Sequence, residues 1–171
     1  DGASKTMLGA TQLAWLLDGL QASTATWKVI ATPVPLSIPK GGDRSVPGND
    51  GWAGGPDGTG FERERQVIVD TILNRTIRNV VFLSGDVHWV QANAYDPNQD
   101  GIIDFHEYIA GPLSAPSGRF APTQMGLHPT ELFYETGYHN FGLVRATKYD
   151  FHVSMVDETG KERVSHRIVA K

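Results

Sequence analysis

The chain contains no cysteine. Disulfides, thiolate metal sites and cysteine nucleophiles are therefore excluded, while cytosolic and exported locations both stay open. Nor does any apolar run approach the roughly 20 residues that a membrane helix needs, so no transmembrane segment is expected. Excess charge is also missing: 19 acidic and 15 basic residues are spread along the chain for a net charge of −4, without the basic stripe that nucleic-acid binding requires. A nucleic-acid partner is not expected. An initiator methionine and a signal-peptide pattern are absent too, the chain opening Asp1-Gly2-Ala3-Ser4. That start reads as a cleavage point, with a segment expected upstream.

What is present is an ordinary globular composition, 171 residues of which 40% are hydrophobic and 20% charged, enough for one domain with a substantial core. Leu13, Leu16, Leu17 and Leu20 recur at helical spacing, predicting a helix over 10–21 with Thr11 as its cap. The run WKVIAT predicts a buried strand over 27–32, stopped by Pro33 and Pro35. A long Gly/Pro-rich loop, 38–60, is expected to be functional or disordered. A second helix over 61–75 carries Phe61, Arg65, Ile68 and Ile72 on one stripe, and NVVFL at 79–83 has the continuous apolar character of a strand covered on both faces. Two helix-to-strand units in succession describe an α/β layered fold. Beyond them, strands are expected at 91–95, 105–110, 141–148, 151–157 and 163–170, the last two joined at Asp157-Glu158-Thr159-Gly160 in an antiparallel meander.

The stretch SGDVH, 84–88, places a carboxylate and an imidazole two residues apart where the 79–83 strand ends. Residues i and i+2 share a face, and the carboxyl ends of strands are where open α/β sheets hold ligands. Carboxylate oxygen and neutral imidazole suit iron, manganese and zinc alike, so Asp86 and His88 are candidate metal ligands. Arg63 and Arg65 are candidate phosphate contacts because a guanidinium fork matches phosphate oxygens. On the long loop, Asn49, Asp50 and Trp52 could shape a substrate pocket.

Taken in order, TMLGATQLAWLL (6–17), ATWKVI (25–30), Asn49-Asp50-Gly51-Trp52, GFERER (60–65), NVVFLSGDVH (79–88) and DFHEYIAGPLSA (104–115) resemble the alkaline phosphatase D (PhoD-like) family of metallophosphoesterases, in the calcineurin-like phosphoesterase superfamily. The resemblance covers residues 1–171 as the carboxyl-terminal part of such a catalytic domain. It implies half of a β-sandwich flanked by helices, hydrolysis of phosphate esters, and an exported protein, secreted or periplasmic. The expected activity spans phosphomonoesterase, phosphodiesterase and phospholipase D-type cleavage. Iron together with calcium is the implied cofactor set, with manganese or zinc as substitutes.

In the superfamily's late G-H-x-H motif two histidines approach the metals. Here Gly85, Asp86, Val87 and His88 stand in that place, Asp86 replacing the first histidine. The earlier motifs, D-x-G, G-D-x-x-Y and G-N-H-D/E, do not occur in the chain, and Thr32-Pro33 stands where many relatives place a ligand. The remaining ligands are expected from an amino-terminal portion of the same enzyme, present as a second polypeptide. By the same resemblance His106 and Glu107 are candidates to line the site, as are His139 and Asn140.

A separate pattern lies at 96–107. Asp96, Asn98, Asp100, Gly101 and Glu107 match the calcium-loop spacing D-x-[DN]-x-[DN]-G-x₅-E, with the Ile102 carbonyl and Asp104 as further ligands. Its flanks, QANAY and FHEYIA, alternate like strands rather than helices, which argues against an EF-hand sensor. Two readings remain: a calcium loop within a hairpin, which would suit a non-catalytic β-rich module, and a plain acidic turn, the preferred one.

Overall fold

The computed structural model describes residues 2, 4–39, 50–54, 60–119 and 121–171. Its elements run α1 Gly9–Ala22, β1 Lys28–Ala31, α2 Glu62–Asn74, β2 Val80–Ser84, β3 Val90–Tyr95, β4 Phe105–Ile109, a 3-10 turn Met125–Leu127, β5 Pro129–Glu135, β6 Asn140–Ala146, β7 Asp150–Asp157 and β8 Glu162–Val169. Strands β1 to β5 form one sheet in the order β1-β2-β4-β3-β5, and β6-β7-β8 form a second. Neighbours pair in parallel at β1-β2 and β2-β4 and antiparallel elsewhere.

Alternation along β2 explains the layering. Val80 and Phe82 point to the helix side, where they pack with Leu20 of α1, Ile68 and Ile72 of α2, and Phe105. Val81 points the other way, into a core shared with Val90, Ala92, Tyr108 and the second sheet's Phe151, Val153 and Met155. A strand covered on both faces must be apolar on both, and VVFL, 80–83, meets that condition. A third, smaller cluster of Ile38, Val87, Trp89 and Ile109 closes the carboxyl end of the sheet.

The start of α1 departs from expectation. Thr11 lies inside the helix. Capping comes instead from α2: the buried Glu64 carboxylate accepts from the Met7 amide at 2.5 Å, the Leu8 amide at 3.3 Å and the Thr6 hydroxyl at 2.8 Å. Thr6 Oγ1 in turn accepts the Gly9 amide at 2.7 Å. A carboxylate at a helix N-terminus satisfies free N–H groups and opposes the helix dipole.

Strand β5 was not expected. It begins at a proline and alternates weakly, as edge strands do, and it takes its place by antiparallel pairing with β3, from Tyr95↔Pro129 to Val90↔Glu135. The meander is as expected. Its turn is held by Asp157 Oδ1, which accepts from the Thr159 amide at 2.9 Å, the Thr159 hydroxyl at 2.6 Å and the Lys161 amide at 3.1 Å.

Candidate active site

The SGDVH turn follows directly from β2. Val87 is buried against Ile38, Trp89 and Ile109, so its two neighbours are forced outward: Asp86 is exposed and His88 half-buried. Both adopt left-handed backbone, Asp86 at φ 71° and His88 at φ 64°. Such φ values are uncommon outside glycine, cost of order 1 kcal/mol or more each, and persist only where the surroundings enforce them.

The enforcing partner is the loop after β4. The Ala110 amide donates to the Ser84 carbonyl at 3.1 Å, and the Gly118 amide to the His88 carbonyl at 2.8 Å. The two backbones run so close that a Cβ on Gly118 would lie 2.1 Å from the Val87 carbonyl oxygen and 2.8 Å from the Trp89 ring. Only glycine fits there. The loop is itself tied down by Asn140, whose side chain accepts from the Gly111 amide at 2.8 Å and donates to the Gly111 carbonyl at 2.6 Å.

His88 Nδ1 lies 2.9 Å from the Pro116 carbonyl oxygen. A carbonyl only accepts, so in the neutral ring the proton sits on Nδ1 and the lone pair on Nε2. An imidazole whose Nδ1–H is held by a backbone carbonyl has the usual preparation of a metal-binding histidine. The donor chemistry therefore suits a divalent metal, but the set is incomplete. Among the described residues no group of three or more His, Asp or Glu side chains could hold a metal ion.

Several candidates fall elsewhere. Glu107 is fully buried and its carboxylate accepts from the Leu36 amide, the Ser84 hydroxyl and the Tyr95 hydroxyl, at 2.9, 2.9 and 2.6 Å. It can neither touch substrate nor close a calcium loop. Burial raises its pKa, against the lowering effect of those donors. Arg65 is also buried; its Nη1 donates to the Leu36 carbonyl, and desolvation lowers its pKa while Glu62, Tyr95 and Glu107 oppose. It is a core charge, not a phosphate contact. Arg63 is exposed in the first turn of α2.

His106 pairs with Val81 while Ser84 pairs with Ile109, which sets His106 three residues back from the turn, about 10 Å along the strands. Its ring stacks with Tyr108 and tilts against His166, and burial, then His166, lowers its pKa to about 4. Asn140 is the loop clamp already described, and His139 is exposed. Asp50 is exposed, whereas Trp52 is buried, donating from Nε1 to Thr32 Oγ1 at 2.7 Å and lining an apolar cavity of about 320 Å³ with Trp15, Leu16, Ile30 and Phe82. Asn49 lies outside the described residues.

The acidic loop closes on itself. Asp96 accepts from the amides of Asp100 at 3.1 Å and Gly101 at 2.9 Å, Asp100 from the Ile102 amide at 2.9 Å, and Asn98 donates to Asp100 at 3.0 Å. Burial, then repulsion by Asp100 and Asp96, raises the pKa of Asp104.

Sequence reasoning missed the loop 110–119 as the support of the turn. Gly118 and the Pro116 carbonyl carry no side-chain signal, and their partner His88 is distant in sequence, 28 residues from Pro116.

The turn thus lies at the carboxyl end of β2, which runs parallel to β1 and β4 in a sheet packed against both helices. The PhoD-like phosphatase family model matches residues 1–157, and the chain belongs to that family. It is 33% identical to alkaline phosphatase D of Bacillus subtilis (strain 168) over 87 residues, 50% of this chain and 14% of that protein. A solved structure of PhoD superposes with a TM-score of 0.66 at 21% identity, over 97% of this chain and 33% of that one. The chain thus spans well under two thirds of either relative.

Proposed function

We propose that the chain is the carboxyl-terminal part of a metal-dependent phosphoric ester hydrolase in which Asp86 and His88 are metal ligands. The carrying observation is the pair of outward, left-handed residues locked by the 110–119 loop, with His88 Nδ1 engaged and Nε2 left to bind. Membership of a phosphatase family supports the reaction class. A metal held by Asp86 and His88 would supply an acidified water and charge neutralisation at the phosphoryl oxygens.

The residues of this chain hold and orient. Asp86 presents a hard oxygen ligand, His88 presents Nε2 at an angle fixed by Pro116, and the buried Val87 keeps the two from collapsing inward. Two donors cannot complete such a centre. The remaining ligands are proposed to come from the amino-terminal portion of the enzyme, as a second polypeptide, and iron with calcium, or manganese or zinc, to fill the site. The substrate class extends from phosphomonoesters to phosphodiesters, phospholipids with phospholipase D-type cleavage included, in a secreted or periplasmic enzyme. No helix among the described residues is long and apolar enough to cross a membrane.

The test is hydrolysis of p-nitrophenyl phosphate and bis-p-nitrophenyl phosphate by the whole protein with each metal supplied in turn. Asp86→Ala and His88→Ala are expected to lower turnover by orders of magnitude. Near-normal rates in both would discard the assignment.

A further inference from the structure

We propose that Glu107 is a positioning residue for the SGDVH turn, acting through a ring of buried hydrogen bonds that ties down both ends of that turn. The proposal rests on the reading of Asp86 and His88 as metal ligands. It starts from β3 and the residue before it, where Trp89, Gln91, Asn93 and Tyr95 alternate and so share one face. Trp89 Nε1 donates to Gln91 Oε1 at 3.0 Å, Gln91 Nε2 to Asn93 Oδ1 at 3.1 Å, Asn93 Nδ2 to Tyr95 Oη at 3.4 Å, and Tyr95 Oη to Glu107 Oε2 at 2.6 Å. The other carboxylate oxygen, Glu107 Oε1, accepts the Ser84 hydroxyl at 2.9 Å. The chain of bonds thus begins one residue after His88 and ends two residues before Asp86.

Every donor along β3 points the same way, so the series needs a terminal group that only accepts. An ionised carboxylate is the side chain that meets this requirement. Glu107 receives three donors on its two oxygens, counting the Leu36 amide at 2.9 Å, with Arg65 close enough to favour its charge. Gln91, Asn93, Tyr95 and Glu107 are all fully buried. A set of polar groups so deep is costly unless complete, and when complete it fixes geometry tightly. What it fixes here are the two anchors of a turn held in strained backbone.

Glu107→Gln keeps the shape but turns one acceptor oxygen into a donor NH₂, leaving a facing N–H or O–H without a partner. Ser84→Ala removes a single donor and serves if the first variant folds poorly. Ile72→Val, in the helix-side core, is the control, since removing one buried methylene lowers stability without touching the ring. Two readouts are taken on the whole protein: kcat and KM on bis-p-nitrophenyl phosphate with manganese supplied, and the ¹⁵N shifts of the His88 imidazole.

Expected are a kcat lowered about 10- to 100-fold in Glu107→Gln, the range seen when the outer partners of metal ligands are removed, and a several-fold fall in Ser84→Ala. KM should stay within about twofold, and the Nδ1–H pattern of His88 should weaken in both variants. Ile72→Val should keep kcat and the His88 signal despite a lower Tm. An unchanged His88 signal in folded Glu107→Gln or Ser84→Ala, or an equal kcat loss in Ile72→Val, overturns the proposal. If the whole protein hydrolyses no phosphate ester, the function reading fails while the His88 readout still decides the role of Glu107.

Discussion

Two carboxylate-bearing turns sit at opposite ends of one sheet. The turn 84–88 follows β2, and the turn 96–104 joins β3 to β4; the pairing Gln91↔Ile109 at one end and Tyr95↔Phe105 at the other keeps them a strand's length apart. The acidic loop is the more suggestive sequence, yet its Asp96 and Asp100 carboxylates are spent on its own amides. The other turn has one carboxylate and one imidazole, displayed outward on backbone held by a distant loop. A short acidic turn that satisfies itself is a stable connection. A turn held from outside by a distant loop presents its side chains outward.

The far end should respond to acid. His106 has its pKa lowered to about 4 by burial, so the folded state favours the neutral ring, while the unfolded chain takes up a proton near 6.5. Its stabilising contribution is complete above 6.5 and is lost as pH falls toward 4. At 1.36 kcal/mol for each pH step the ceiling is about 3 kcal/mol. His166, lowered chiefly by burial, acts in the same direction. Urea titrations at pH 7, 5.5 and 4.5 should show falling stability, and His106→Phe should flatten the decline. An equal decline in the variant would remove His106 as its source.

At the near end Gly118→Ala should be among the most damaging changes outside the proposed ligands Asp86 and His88. The added methyl meets the Val87 carbonyl oxygen and must push the loop off the turn, releasing His88 from Pro116. Turnover is expected to fall about 10- to 100-fold, or roughly 1.4 to 2.7 kcal/mol. Unchanged kcat would mean that the turn is as self-contained as its counterpart. Asn140→Ala removes two hydrogen bonds to Gly111 and should cost about 1–3 kcal/mol in denaturant midpoints, with a smaller loss of turnover. Smallest is Asp100→Ala in the acidic turn, expected to cost about 0.5–1 kcal/mol and to leave kcat alone. A large kcat effect there would collapse the distinction between the two turns.

Much of this was legible in the chain itself. NVVFL announced a strand covered on both faces, the leucine stripe announced α1, and SGDVH was visible as a D-x-H pair at a strand end. What escaped depended on contacts between distant residues. Alternation in VQANAY shows that Gln91, Asn93 and Tyr95 share a face, but not that the face is buried and converges on Glu107. Glu107 completes the calcium-loop spacing by position, yet strand pairing turns it into the core. Trp52 reads equally as a pocket wall or an anchor, and its bond to Thr32 is decided by a loop closing over twenty residues. Backbone carbonyls such as that of Pro116 have no sequence signature.

Asp86 and His88 are proposed to bind metal together. The most direct measurement is the metal content, by elemental analysis, of the whole protein and of Asp86→Ala/His88→Ala purified in parallel and assayed on bis-p-nitrophenyl phosphate. The account predicts that the double variant loses at least about one equivalent of bound metal and nearly all turnover while keeping its fold by circular dichroism. Equal metal content and comparable turnover in the two preparations would contradict it.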